Sequence, residues 1–279
     1  MFLVTGATGN VGAEVVRALA GADENVRALT RSDSSSALPS GVHAVAGDLN
    51  RPDSLSAALA GVRGVFLLPG YEDMEGILAE VRRAQVERVV LLSGSSAASG
   101  DTSNAVSAYM IRSEEAVRAS GVPFTILRPY GFMSNALRWL DQLNAGDIVR
   151  EPFANVAVAM IDPYDLAAVA ATALLSDGHE GRSYVLSGPE ALLPADRVRI
   201  LGAALGRDLR LEALSDDEAR AQMTAQMPVE YVDAFFDFYV DGSLDESQVQ
   251  PTVQEVLGRD PSSFEQWAAA HADAFASGG

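Results

Sequence analysis

The feature that most narrows what this chain can fold into lies at its start. FLVTGATGNVG, residues 2–12, places Gly6, Gly9 and Gly12 between an apolar run and a run with helical spacing. Phe2 to Thr5 reads as a short strand, and Val11, Val15 and Leu19 recur at the helical period. In such a turn the first glycine permits the tight bend, the second lets the backbone approach a pyrophosphate, and the third lets helix and strand pack closely. The N–H groups that open the helix then face the negative charge of the ligand. Strand, turn and helix together predict a dinucleotide site; the competing reading is the same fold with an empty site.

The alternation continues along the chain. Strands are predicted at Val26 to Thr30, Val42 to Ala46, Val65 to Leu68, Val89 to Leu92 and Phe124 to Leu127. Helices are predicted over Pro52 to Ala60, Met74 to Ala84 and Ala105 to Ala119. Short apolar strands separated by helices favour a parallel sheet covered on both faces. Val156 to Ile161 and Ser183 to Leu186 are candidates to extend it, with a helix over Pro163 to Leu175 between them. From Leu193 onward helical patterns dominate and carry the aromatic cluster Tyr231, Phe235, Phe236, Phe238 and Tyr239, which either fills a helix–helix core or walls a substrate. The predicted fold is therefore α/β: a Rossmann-like parallel sheet with helices on both faces and a small, mostly helical C-terminal lobe. Residues 1–190 form the NAD(P)-binding region with interleaved substrate-side segments, and residues 191–279 form the helical substrate or cap region.

Composition excludes several chemistries. The chain has no lysine, so its twenty basic residues are all arginine, set against 38 acidic ones for a net charge of -18. That balance opposes nucleic-acid binding, and no local run of arginines offsets it. Without cysteine there is neither a disulfide nor a thiol catalyst, and His43, His179 and His271 are too scattered to predict a metal site. No apolar run is long enough to span a bilayer and the start lacks a basic leader, so the expected location is the cytoplasm, away from membranes. Redox chemistry in such a chain needs a bound organic cofactor.

The end of the second predicted strand, VRALTR, bears on which cofactor. An NAD site would often offer an acidic residue to the ribose hydroxyls there; Arg31 instead can pair with a 2′-phosphate, with Thr30 or Ser32 adding hydroxyl contacts. That favours NADP(H), against the alternative of a solvent-facing arginine. Asp48 and Leu49 can border an adenine, and Asp48 can equally cap the turn that follows it.

Four stretches resemble the NmrA-like branch of the atypical short-chain dehydrogenases/reductases. They are GATGNVG at residues 6–12, AGDLNRPDSLSAALAGV at 46–62, VERVVLLSGSSA at 86–97 and SGVPFTILRPYGFMSN at 120–135. With the same element order, the resemblance runs through about residue 190 and weakens beyond it. It implies that Gly6, Ala7, Thr8, Gly9, Asn10, Val11 and Gly12 hold the cofactor pyrophosphate, that Arg31 reads the 2′-phosphate, and that Asp48 and Leu49 border the adenine. It further implies that Leu68, Pro69 and Gly70 follow the fourth strand, that Ser93 lies near the nicotinamide, and that Pro129, Tyr130, Gly131 and Phe132 wall that ring. Asn135 begins the substrate side.

The branch holds quinone and other NAD(P)H-dependent reductases, epimerase-like relatives, and regulators that bind a dinucleotide without turning it over. In ordinary short-chain reductases a tyrosine donates a proton and a lysine four residues later lowers its pKa. Here Tyr109 is followed by Arg112 and, at the lysine position, Ser113, so a tyrosine–lysine pair is excluded. Tyr109, Arg112 and Ser113 share a helix face. Tyr109 either donates to a reduced oxygen or packs; Arg112 can screen charge but remains protonated; Ser93 either orients substrate or satisfies local backbone. Tyr130, Phe132, Met133 and Trp139 offer apolar surface for an aromatic substrate, with Met133 and Trp139 alternatively packing their own helix. The expected function is an NADP(H)-dependent oxidoreductase reducing a quinone or carbonyl-bearing aromatic metabolite by hydride transfer. The alternative is a non-catalytic dinucleotide-binding redox regulator acting through a protein partner. The expected ligand is an apolar or aromatic small molecule, with a homodimer or a regulatory partner also open.

Overall fold

The structure is a computed structural model that describes residues 1–31, 38, 39 and 41–276. Its first part runs β1 (Phe2–Val4), α1 (Asn10–Gly21), β2 (Val26–Thr30), β3 (His43–Ala46), α2 (Ser56–Leu59), β4 (Gly64–Leu67), α3 (Met74–Arg83) and β5 (Arg88–Leu92). It continues through α4 (Ala105–Ala119), β6 (Phe124–Pro129), α5 (Leu140–Ala145), β7 (Ile148–Glu151), α6 (Pro163–Leu175) and β8 (Arg182–Leu186). The remainder is α7 (Pro194–Leu205), β9 (Arg210–Ala213), α8 (Asp216–Thr224), α9 (Val229–Tyr239), α10 (Thr252–Leu257), α11 (Phe264–Ala270) and α12 (Ala272–Ala276). None of the helices among the described residues is long and apolar enough to cross a membrane.

Seven parallel strands form one sheet in the order β3-β2-β1-β4-β5-β6-β8. Alternation along each strand sends its apolar side chains to both faces, the period-2 consequence of the pleat. Val4, Phe66 and Val90 pack on one face against Val15, Val16 and Leu19 of α1 and Leu166 and Val169 of α6. Leu3, Val65, Leu67 and Val89 pack on the other against Leu59, Ile77, Leu78, Val81 and Val117. Each fully buried aliphatic side chain contributes about 1.5–3 kcal/mol relative to leaving it exposed. The chain winds one way from β1 to β3 and the other from β4 to β8, so a crevice opens above the C-terminal ends of β1 and β4. In doubly wound sheets this is where ligands bind.

One expectation needs correction. Val156 to Ile161 is not a strand of the sheet: β8 already occupies the free edge of β6, in register from Thr125 with Arg182 to Pro129 with Leu186. The segment instead touches its neighbours one residue at a time, Ile161 beside Phe132 and Val158 beside Leu192. Within the mostly helical late chain, β9 pairs in parallel with β7 as a separate two-stranded sheet. Behind that pair, Met133, Trp139, Val149 and Val158 share one hydrophobic cluster with Val198, Leu201, Phe264 and Trp267.

Candidate active site

The glycine turn is built from backbone against backbone. Gly6 has φ +61°, a left-handed conformation that disfavours a side chain, and its carbonyl accepts from the Gly9 N–H at 2.9 Å. A Cβ on Gly12 would stand 2.1 Å from the Gly6 oxygen, so α1 can approach the turn only with glycine there. Gly9 is the N-cap of α1 and offers no side-chain cap, and the first helical turn carries no acidic residue. The helix start is therefore left without a side-chain cap or an acid in its first turn, which leaves its N–H groups suited to an anion.

Beside the turn lies a cavity of about 590 Å³, lined by Gly6, Thr8, Thr30, Arg31, Asp48 and Tyr71, with Leu49 at its edge. The residues assigned by resemblance to the adenosine half of a dinucleotide thus meet in one space. Ser32 lies outside the described residues. Asp48 lines the cavity, and its carboxylate accepts from the Asn50 N–H at 3.0 Å, closing the turn. That backbone hydrogen bond, with help from Arg51, holds its carboxyl below the ordinary range. Tyr71 carried no signal of its own in the sequence. Burial, reinforced by Asp48 and opposed by Arg31, raises its phenol above the usual value.

The other half of the crevice is formed by the loops after β4, β5 and β6. Leu68 N–H donates to Thr5 Oγ1 at 3.0 Å, and Gly70 N–H donates to Ser113 Oγ at 2.9 Å. Ser113 donates in turn to the Tyr109 carbonyl at 2.8 Å and is 1% exposed. The residue standing where a lysine would be expected is thus a buried tether between the β4 loop and α4. Tyr109 lies against Gly70 and meets Tyr231 of α9 edge-on at 6.3 Å. Tyr109, Arg112 and Glu115 open together on a cavity of about 780 Å³ that Tyr71 also borders. Burial, followed by the neighbouring Tyr231, pushes the Tyr109 phenol up. It is therefore a hydrogen-bond donor that releases its proton reluctantly.

Two serines of the β5 loop point to two different buried carboxylates. Ser93 donates to Glu114 Oε1 at 2.7 Å. Arg128 grips the same carboxylate at both oxygens, at 2.8 and 2.6 Å, and Arg118 adds a contact at 3.2 Å. Burial pushes Glu114 up, but the hydrogen bonds from Arg128 and Ser93 prevail and hold it below the usual carboxylate range. Ser95 instead donates to Glu246, which lies between α9 and α10. Tyr239 donates to the second oxygen of Glu246 at 3.3 Å, and the Gly131 N–H also reaches the carboxylate. Among the described residues, none of the ion pairs includes Glu246. Neither Ser95 nor Glu246 was singled out from the sequence. Ser95 sits within VERVVLLSGSSA, while Glu246 is one acid among 38 and lies 151 residues from its partner.

The segment after β6 is held in place by Ile161 and Leu186. Gly131 O accepts from Ile161 N and Met133 N donates to Ile161 O, both at 2.9 Å, while Tyr130 N donates to Leu186 O at 2.9 Å. Phe132 is half-buried against the sheet core. Met133 and Trp139 are each 1% exposed, and the Trp139 indole donates to Glu151. These two fill the core together with Tyr130, which is 7% exposed. In α9, Phe236 and Phe238 are buried, whereas Tyr231 and Tyr239 reach toward α4 and Glu246. The helix is fastened to α4 by Asn104, which caps α4 and donates to Ala234 O at 3.1 Å and Asp237 Oδ2 at 2.8 Å.

Residues 6–177 match the family model described as NAD(P)H-binding. Over 99% of both chains, the protein is 40% identical to the (4-alkanoyl-5-oxo-2,5-dihydrofuran-3-yl)methyl phosphate reductase of Streptomyces griseus. It is 35% identical to the NAD(P)H azoreductase of Xenophilus azovorans, again over 99% of each. The NADPH-dependent quinone oxidoreductase QOR2 of Escherichia coli shares the fold with a TM-score of 0.80, at 22% identity over 97% of this chain and 99% of that one.

Proposed function

The chain belongs to the NAD(P)H-binding family, in its NmrA-like atypical short-chain dehydrogenase/reductase branch, and from that membership we propose an NADP(H)-dependent reductase. Its acceptor in this reading is a conjugated, electron-poor double bond: a quinone, or a carbonyl-bearing aromatic or enone ring. The observation that carries the proposal is the glycine turn opening onto the Arg31 cavity. Glycine at position 12 lets α1 pack onto the turn, and Arg31 lines the cavity beside it, at the position the resemblance gives to a reader of the 2′-phosphate. The relatives support the acceptor class. One is named for a dihydrofuran ring bearing an oxo and an alkanoyl group, the other for an azo bond, and both are conjugated hydride acceptors.

Bound NADPH would supply the hydride. The chain's part is to hold and orient. N–H groups of the turn and of α1 bind the pyrophosphate, while Asp48, Leu49 and Tyr71 border the adenine. Leu68 to Gly70 and Pro129 to Phe132 flank the nicotinamide position from two sides, fixed by the Ser113 tether and by Ile161. Alignment of this kind lowers a barrier without covalent catalysis. Tyr109 donates a hydrogen bond to the acceptor and Arg112 screens its charge. Ser93, committed to Glu114, positions the β5 loop.

Oxidation of NADPH followed across quinones, enones and azo dyes tests the proposal. Turnover with at least one acceptor class is the expected result; stoichiometric NADPH binding with no turnover across the panel would favour the nucleotide-responsive regulator instead. Cofactor choice is tested by Arg31→Ala. Loss of a charge-assisted contact worth about 1.5–3 kcal/mol should weaken NADPH binding by roughly ten- to a hundredfold. NADH binding should barely change. An equal loss for both cofactors in calorimetric titration would remove Arg31 from the 2′-phosphate role.

A further inference from the structure

Hydride transfer to a conjugated carbonyl leaves an acceptor oxygen one proton short. No lysine exists to activate Tyr109, and burial makes its phenol reluctant to ionise. The proton source must therefore be sought elsewhere in the crevice, and the β5 loop offers a comparison. Two of its serines, Ser93 and Ser95, are each bonded to a carboxylate that is 5% exposed or less. Glu114 faces Arg128 and Arg118, which stabilise its charge. Glu246 faces Ser95, Tyr239 and the Gly131 N–H, none of them cationic. Environments that drive two carboxyl groups apart in this way separate an ionised role from an acid role.

We infer that Glu246 is the proton store of the reaction and delivers its proton through the Ser95 hydroxyl to the reduced acceptor oxygen. The inference rests on the reductase reading above. Position supports it: Ser95 follows β5 and Gly131 follows β6, so the carboxyl stands over the C-terminal ends of the strands, where the resemblance puts the nicotinamide ring. The site is also fixed from both sides of the residue. The Glu246 carbonyl accepts from Ala159 N at 2.8 Å, and Gln250 nearby donates to the Tyr130 hydroxyl at 3.0 Å. Burial drives Glu246 toward its protonated form, prevailing over the bonds from Ser95, Tyr239 and Gly131. The other titratable and charged groups around it are Tyr239, Tyr130 and Asp245, with Arg197 and Arg138 acting on Tyr239 from farther off. Tyr239 stays a neutral donor, because burial and Glu246 both raise its phenol.

The proton balance closes within this set. With Glu246 protonated, its O–H donates to Ser95 Oγ, while Tyr239 and Gly131 donate to the carboxyl oxygens. The Ser95 O–H bond breaks as its proton passes to the acceptor oxygen, and the Glu246 O–H bond breaks to restore the serine. Glu246 is left as a carboxylate and takes a proton from water after product leaves. Ser95 is the group that touches the acceptor; Glu246 acts through it.

Glu246→Gln keeps the shape and the hydrogen bonds but has no proton to give. In that variant kcat for a quinone or enone should fall about 100-fold, the usual scale of positioned acid catalysis. NADPH binding, titrated by cofactor fluorescence, should be unchanged. The wild-type kcat should decline as pH rises through the Glu246 pKa, and the variant should lack that limb. Ser95→Ala should fall comparably, and the double variant no further, because the two act as one unit. Infrared spectroscopy of the cofactor-free wild type, followed through a pH titration, should show a protonated carboxyl band that persists above the ordinary carboxylate range and that Glu246→Gln removes. Stability follows with a definite sign. A carboxyl raised on folding contributes stability that is full below its unfolded pKa and is lost as pH rises through the folded value. Glu246→Gln should therefore gain stability relative to wild type as pH rises. Absence of the infrared band, or a variant with unchanged kcat and pH profile, overturns the proton role while leaving the reductase reading intact. A wild type that turns over no acceptor overturns both.

Discussion

Gly12→Ala should abolish measurable NADPH binding and lower the melting temperature together. The added methyl would meet three backbone atoms, the Gly6 oxygen at 2.1 Å, the Gly6 carbon at 2.5 Å and the Ala7 nitrogen at 3.0 Å. No rotamer change relieves such contacts, so α1 must move away from the turn, taking its N–H groups with it. Overpacking of this kind costs about 1–3 kcal/mol in stability. Cofactor affinity should fall at least about 100-fold, since oriented N–H groups lose their aim over small displacements. Gly9→Ala makes the contrast: its methyl would meet only the Gly6 oxygen, at 3.3 Å. It should disturb the fold less while still crowding the pyrophosphate. Calorimetric titration and thermal scans on both variants check the order. If Gly12→Ala bound NADPH as tightly as wild type, the turn would not be the cofactor cradle.

Restoring the missing lysine should damage the protein rather than improve it. Ser113→Lys would place an ammonium where the native side chain is 1% exposed, and would remove the acceptor of the Gly70 N–H. An unpaired buried charge and an orphaned donor together cost at least about 3 kcal/mol. The urea midpoint should fall accordingly, and NADPH oxidation should decrease as the β4 loop loses its tether. Ser113→Ala isolates the second term, with an expected loss of about 1–3 kcal/mol. A lysine variant as stable as wild type and more active would mean that the helix can present a tyrosine–lysine pair after all. The expected result explains why the pair is missing: in this chain the position secures the loop after β4.

Much of the fold was legible because its signals are local. The alternation of short apolar strands with helices, the boundaries Ala105 to Ala119 and Pro163 to Leu175, and the glycine spacing each depend on neighbouring residues. Val156 to Ile161 misled because it is apolar enough for a strand, yet pairing depends on a free edge, and β8 had taken it. The short strands β7 and β9 escaped because each is stabilised by the other across some sixty residues of chain. Among the apolar residues after β6, Met133 and Trp139 look the same in sequence whether they wall a substrate or fill a core; only burial separates the two.

What the sequence determined by itself is the cofactor side. Glycine spacing, Arg31 and the absence of every lysine are statements about residue type, and residue type limits backbone freedom, charge and proton chemistry wherever the chain goes. Tertiary structure alone decided the acid side. Ser93 and Ser95 are two residues apart and chemically identical, yet one faces an arginine-bound carboxylate and the other a carboxyl that, among the described residues, has no ion-pair partner. A pKa is set by burial and by the charges within a few ångströms, and Glu246 acquires its surroundings only when residues 95, 131, 239 and 246 are folded into one place.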